Sequence, residues 1–98
     1  MEETNMTNDL LLSKPVRSDD VQHFPTGEYV CLHNLETGEY YTLNEVAAFI
    51  WSNMDGILSI RELIDLVCDK YEIDVLTIEQ DILLLIQDLK AAETIHIQ

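Results

Sequence analysis

The histidines and cysteines are the residues of this 98-residue chain best suited to chemistry, but their spacing matches no known reactive site. His23, His33 and His96 show neither H-x-x-x-H nor H-E-x-x-H spacing, and a closed zinc site needs four ligands. Cys31 and Cys68 lie in apolar contexts without C-x-x-C spacing, which favours buried structural thiols. Nucleotide-binding and nucleophile-elbow patterns do not occur. The sequence therefore predicts a protein that is not an enzyme and holds neither a metal nor a cofactor.

The net charge of −14 restricts the kinds of partner that the chain can bind. Nucleic acids and anionic membrane surfaces are bound through Lys and Arg, of which there are only five. A neutral or basic partner is favoured, although acidity can also serve only to keep a small protein in solution. No apolar run approaches the ~20 residues that span a bilayer. The polar, acidic N-terminus is not a signal peptide, so the cytoplasm is the expected location.

The length and the polarity of the N-terminus predict one domain with an extension. Residues 1–20 are expected to form a flexible acidic extension, in which Leu10–Leu12 is an apolar interruption that docks or forms a marginal strand. Residues 21–98 are expected to form the domain.

An antiparallel sheet is predicted at the start of the domain. Residues 21–24 favour a short first strand, and Glu28–His33 is rich in β-branched and aromatic residues. A turn follows, in which Gly38 can take the positive φ that the turn needs. Glu39–Thr42 is the returning strand.

Three helices are predicted after the sheet. The first runs from about Glu45 to Met54 and is capped by Asn44, and Trp51 is expected in its buried face. The second begins after Ser59, which forms a capping box with Glu62.

The third helix is predicted to begin after Thr77 and to carry more apolar residues than one buried face needs. One stripe contains Ile78, Ile82, Leu85, Ile86 and Leu89. Leu83 and Leu84 widen this stripe, so a second face is covered either by the strands or by a partner peptide. Residues 94–97 alternate as a short closing strand. The resulting fold class is α+β and winged-helix-like.

Two kinds of binding protein fit this order of elements. A winged-helix DNA-binding regulator would use the third helix. That helix carries the acidic residues Glu79, Asp81 and Asp88 but only one basic residue, Lys90. These acids would oppose phosphates, which disfavours DNA binding. A peptide-binding module is favoured instead, because the edge of a sheet presents unpaired N–H and C=O groups that an extended peptide can pair with.

Several short motifs, in this order and spacing, resemble the PqqD-like domains, also called RiPP recognition elements. The resemblance covers about residues 28–95. Its motifs are Gly38–Asn44, Ala47-Ala48, Ile50-Trp51, Asp55-Gly56, Ile60–Leu63, Tyr71 and the apolar pattern of Ile78–Leu89.

The resemblance implies a non-catalytic chaperone that holds the leader region of a ribosomally synthesised precursor peptide. The leader would pair with the third strand, and the third helix would be the second wall of the site. By position, the binding residues would be Glu39, Tyr40, Tyr41, Thr42 and Leu43 of the strand, and Ile78, Asp81, Ile82, Leu85 and Asp88 of the helix.

The resemblance also implies a partner enzyme. A stand-alone protein of the lasso-peptide type, which delivers the leader to a separate cysteine protease, is the preferred interpretation. The alternative is a PqqD-type chaperone that serves a radical SAM enzyme. The sequence leaves the precursor peptide, its modification and the oligomeric state open.

Overall fold

The structure, a computed structural model, describes residues 10–98. Its strands are β1 (Pro15–Arg17), β2 (Val21–Thr26), β3 (Tyr29–Asn34), β4 (Tyr40–Leu43) and β5 (Ile95–Ile97). Its helices are α1 (Glu45–Ser52), α2 (Ile60–Tyr71) and α3 (Val75–Ala91). The predicted α+β class, with an antiparallel sheet followed by three helices, is confirmed. No helix within residues 10–98 has the length and apolar content to cross a bilayer.

The strands form two separate antiparallel sheets. In the larger sheet the order is β2-β3-β4, so β3 is central and β2 and β4 lie at the edges. The smaller sheet pairs β1 with β5, the first and last strands of the fold. The predicted closing strand is thus confirmed, and its partner is a strand that the sequence did not reveal.

The helix starts follow from their capping residues. The side chain of Asn44 accepts a hydrogen bond from the backbone N–H of Ala47 at 2.9 Å, as predicted. Ser59 and Glu62 form the predicted capping box. The predicted cap of α3 is wrong: Asp74 caps this helix through the N–H of Leu76, and Thr77 lies inside the first turn. Both Asp and Thr are favourable N-cap residues. Because Asp74 lies three residues before Thr77, the helix begins earlier than predicted.

The core lies between the inner face of the larger sheet and the three helices. Trp51 is only 2% exposed, which confirms its predicted place in the core. The buried face of α2 consists of Ile60, Leu63, Ile64 and Val67. Burial of these aliphatic side chains stabilises the fold by roughly 1.5–3 kcal/mol each.

Residues 10–20 lie against the domain, whereas the sequence pattern placed them in an extension separate from it. Residues 10–12 are helical and Leu11 is buried in the core. The N–H of Ser18 donates to the carbonyl of Thr94 at 2.9 Å. The Arg17 guanidinium donates to the carbonyls of Trp51 and Ser52, at 3.1 and 2.6 Å, at the end of α1. The rest of the predicted extension, residues 1–9, lies outside the described residues.

Candidate functional site

Strand β4 presents hydrogen-bonding groups of its backbone at an edge of the larger sheet. At the end of β3, the N–H of Asn34 donates to the carbonyl of Glu39 on the β4 side, while the N–H of the next residue, Leu35, donates to the carbonyl of Asp20 on the β2 side. Successive residues of a strand face alternate neighbours, so Leu32 also faces β4, where its partner is Tyr41.

The same alternation turns the backbone of Tyr40 and Thr42 away from β3. Their partners in β3 are His33 and Cys31, which bond towards β2. Both residues are exposed, and no further strand among residues 10–98 pairs with β4. The edge therefore offers two N–H and two C=O groups to an added strand.

The edge at β2 differs because it contains a proline. Pro25 is the partner of Val30, which bonds towards β4, so the backbone nitrogen of Pro25 faces the outer edge. A proline nitrogen has no hydrogen to donate, and proline at such a position blocks strand addition. Of the two edges, β4 is the one whose sequence permits a continuous ladder.

An apolar cavity of about 290 Å³ lies just beyond the end of β4, between α1 and α3. Asn44, the residue after β4, lines it on one side. The remaining lining residues are Val46, Ala47 and Ile50 of α1, and Ile78, Asp81, Ile82 and Leu85 of α3. Its walls are mostly aliphatic and Asp81 supplies a charge at an exposed position. The cavity can accept one large apolar side chain, or an aliphatic stem that ends in a basic group.

The structure brings four of the five predicted helix residues together in this cavity. Ile82 is almost fully buried, so it forms the floor, whereas Ile78 and Leu85 are half-buried walls. Asp88 is exposed on α3 but does not line the cavity.

The predicted strand residues divide between the two faces of the sheet. Leu43 is buried and Tyr41 half-buried on the inner face. Tyr40 and Thr42 are exposed on the other face, and Glu39 is exposed in the turn before β4. All five thus lie at the edge strand or directly beside it, and their roles in binding stay a prediction.

The sequence prediction missed the wall that α1 contributes. Val46, Ala47 and Ile50 approach α3 from the opposite side of the cavity. The small side chain of Ala47 leaves the space open, and a pair of small residues at the start of a helix was the available signal. Which element faces that pair depends on contacts between residues far apart in the sequence, which local periodicity does not specify.

Acidic groups surround the edge strand. Burial raises the pKa of the Tyr41 hydroxyl, and the nearby carboxylates of Glu39 and Glu93 raise it further. With Asp81 at the cavity, these carboxylates give the site a negative potential.

The predicted structural thiols are half-buried rather than fully buried. Burial raises the pKa of Cys68, and the carboxylates of Asp65 and Asp74 act in the same direction. The His33 ring stacks on Tyr40, with centroids 4.2 Å apart.

Comparison with known proteins assigns the chain to a family. The PqqD family, described as coenzyme PQQ synthesis protein D, matches residues 28–95. The chain belongs to this family.

A solved structure is similar over nearly the whole fold. It is described as TbiB1 in complex with the TbiA(beta) leader peptide, and it matches with a TM-score of 0.74 at 30% sequence identity. The match covers 83% of this chain and 94% of that chain. The predicted recognition as a PqqD-like RiPP recognition element is thereby confirmed. A search among curated proteins found no match.

Proposed function

We propose that this protein binds the leader region of a ribosomally synthesised precursor peptide as an added strand beside β4. The observation that carries the proposal is the open β4 edge, which ends at an apolar cavity. The similarity to TbiB1, whose structure contains a leader peptide, supports it.

Backbone pairing would supply most of the affinity without depending on the leader's sequence. Tyr40 and Thr42 each direct one donor and one acceptor outward, so a leader strand can form four hydrogen bonds with them. At about 0.5–1.5 kcal/mol each, these bonds contribute roughly 2–6 kcal/mol.

The cavity between α1 and α3 would make binding specific for certain leader sequences. Strand side chains alternate between faces, so every second leader residue points to the side of the sheet where the helices lie. One of these side chains would enter the cavity against Ile78 and Leu85. Asp81 would favour a basic group on the leader close to that residue.

The bound leader would then be delivered to a separate maturation enzyme. The similarity to TbiB1 supports the leader peptidase of a lasso-peptide pathway as that enzyme. The PqqD family match supports the alternative, a radical SAM enzyme. In either pathway the contribution of this chain is binding rather than catalysis.

Calorimetric titration with a synthetic leader peptide tests the proposal. The peptide is the leader of a short precursor reading frame identified among the genes that neighbour this one, and the same peptide with its residues scrambled is the control. We expect a one-to-one complex with a Kd near micromolar, or about −8 kcal/mol, for the native leader only. Equal affinity for both peptides, or no binding of the native leader, would contradict the proposal. Salt-sensitive binding of duplex DNA would support the regulator alternative instead.

A further inference from the structure

The sheet face that points away from the helices carries exposed aromatic side chains. We call it the outer sheet face, and it includes Phe24, Tyr29, Cys31, His33, Tyr40 and Thr42. The strand register places these residues on one side, because Phe24, Cys31 and Thr42 form one cross-strand row and His33 and Tyr40 belong to the next. The opposite side holds the buried Leu32 and Leu43.

The aromatic side chains of this face make few contacts within the domain. Phe24, Tyr29 and Tyr40 are 45%, 52% and 64% exposed. Tyr40 is held against the His33 ring, with an angle of 6° between the ring planes, so part of the surface is ordered in advance. Aromatic residues that are exposed together on a rigid sheet are typical of protein interfaces.

The charges around the outer sheet face limit what can cover it. The chain has no Lys or Arg between Ser18 and Ile60. Of the acidic residues in that segment, Asp19, Asp20, Glu28, Glu36 and Glu39 precede or connect the strands of the larger sheet, and we call these five the acidic rim; Glu45 and Asp55 lie on α1 and after it. A second copy of the chain would bring the same acidic rim and be repelled, whereas a protein with a basic rim would be attracted.

We infer that the outer sheet face is the docking surface for the maturation enzyme, through an apolar patch with a basic rim on that enzyme. This inference rests on the proposed function, since a leader strand beside β4 would extend the same face by one strand. Every second leader side chain would then point outward beside Tyr40 and Thr42. The enzyme would contact the protein and the bound leader over one continuous surface, and so would prefer the loaded complex.

A double variant separates enzyme docking from leader binding. Phe24→Thr with Tyr29→Thr removes two aromatic side chains from β2 and β3 and keeps β-branched residues on the strands. Neither position belongs to β4 or to the cavity, so leader affinity should be unchanged. Ile57→Thr is the matched control, because it removes an exposed apolar side chain, 70% exposed, from the loop between α1 and α2.

The probe is a purified maturation enzyme identified from the genes that neighbour this one, either a leader peptidase or a radical SAM enzyme, titrated onto the leader-loaded protein by biolayer interferometry. We expect at least tenfold weaker binding of the double variant and unchanged binding of Ile57→Thr. Raising the ionic strength should weaken the wild-type complex, since screening reduces the attraction of the acidic rim.

Three results would overturn the inference while leaving the proposed function intact. These are equal enzyme affinity of the double variant, equal loss in Ile57→Thr, and no binding of the enzyme to a wild-type protein that does bind leader. A wild-type dimer in sedimentation that the double variant converts to a monomer would assign the face to self-association instead. A leader that binds neither protein would refute the proposed function itself.

Discussion

A proline scan of β4 distinguishes groups that hold the sheet together from groups that hold the leader. Thr42→Pro removes an N–H that faces the outer edge, and Tyr41→Pro removes an N–H that bonds to Leu32 within the ladder. The two N–H groups point to opposite sides of the same strand. Thr42→Pro should therefore weaken leader binding and spare folding, whereas Tyr41→Pro should weaken folding.

The magnitudes follow from the hydrogen bonds that each proline removes. Thr42→Pro should leave the leader with one unmade bond and an unpaired carbonyl, at about 1–3 kcal/mol, or roughly 5–150-fold in Kd. Its stability should change little, because proline is tolerated at outward positions of edge strands. Tyr41→Pro should destabilise the domain by about 3 kcal/mol or more.

The assay is leader titration by calorimetry alongside thermal unfolding of each variant. His23→Pro is the matched control, because it places a proline at an outward position of the other edge, beside Pro25. It should leave leader affinity unchanged. A Thr42→Pro protein that folds and binds leader as the wild type does would refute strand addition at β4. A Tyr41→Pro protein with unchanged stability would show that the N–H of Tyr41 does not bond to β3.

Three further predictions concern the cavity, the core and a helix cap. Asp81→Lys should weaken leader binding with little change in melting temperature, and Asp88→Lys, which makes the same charge change outside the cavity, should have a smaller effect by calorimetry. Trp51→Ala should lower the free energy of unfolding by about 3–5 kcal/mol in urea titrations, and a melting curve like that of the wild type would contradict its place in the core. Asp74→Ala should cost about 1 kcal/mol of stability, whereas Thr77→Ala should cost less, and the reverse order would restore Thr77 as the cap of α3.

The sequence predicted the elements whose signals are local. The β3–β4 hairpin follows from β-branched residues on either side of Gly38, and the start of α2 follows from the spacing of Ser59 and Glu62. The apolar pattern of α3 predicted that Ile78, Ile82 and Leu85 share one stripe, and the structure places all three along the cavity between α1 and α3. In each case the physical cause lies within one or two turns of the chain.

The features that the sequence did not predict depend on residues far apart. β1 has only three residues, too few to show a period of two, and it is stabilised by pairing with β5 at the far end of the chain. The sequence left open whether Leu10–Leu12 docks or forms a strand, because the contacts that bury Leu11 in the core are with residues far along the chain. The cavity exists because Ala47 faces α3 across the fold, and a small residue by itself does not specify what lies opposite.

Amide hydrogen exchange of β4 with and without leader is the most direct test of strand addition. The N–H groups of Tyr40 and Thr42 should exchange quickly in the free protein and become protected when the leader binds, while Tyr41 should be protected in both states. The outward N–H of His23 on the other edge should not change. Protection of His23 instead, or no change at Tyr40 and Thr42 under saturating leader, would contradict binding at this edge.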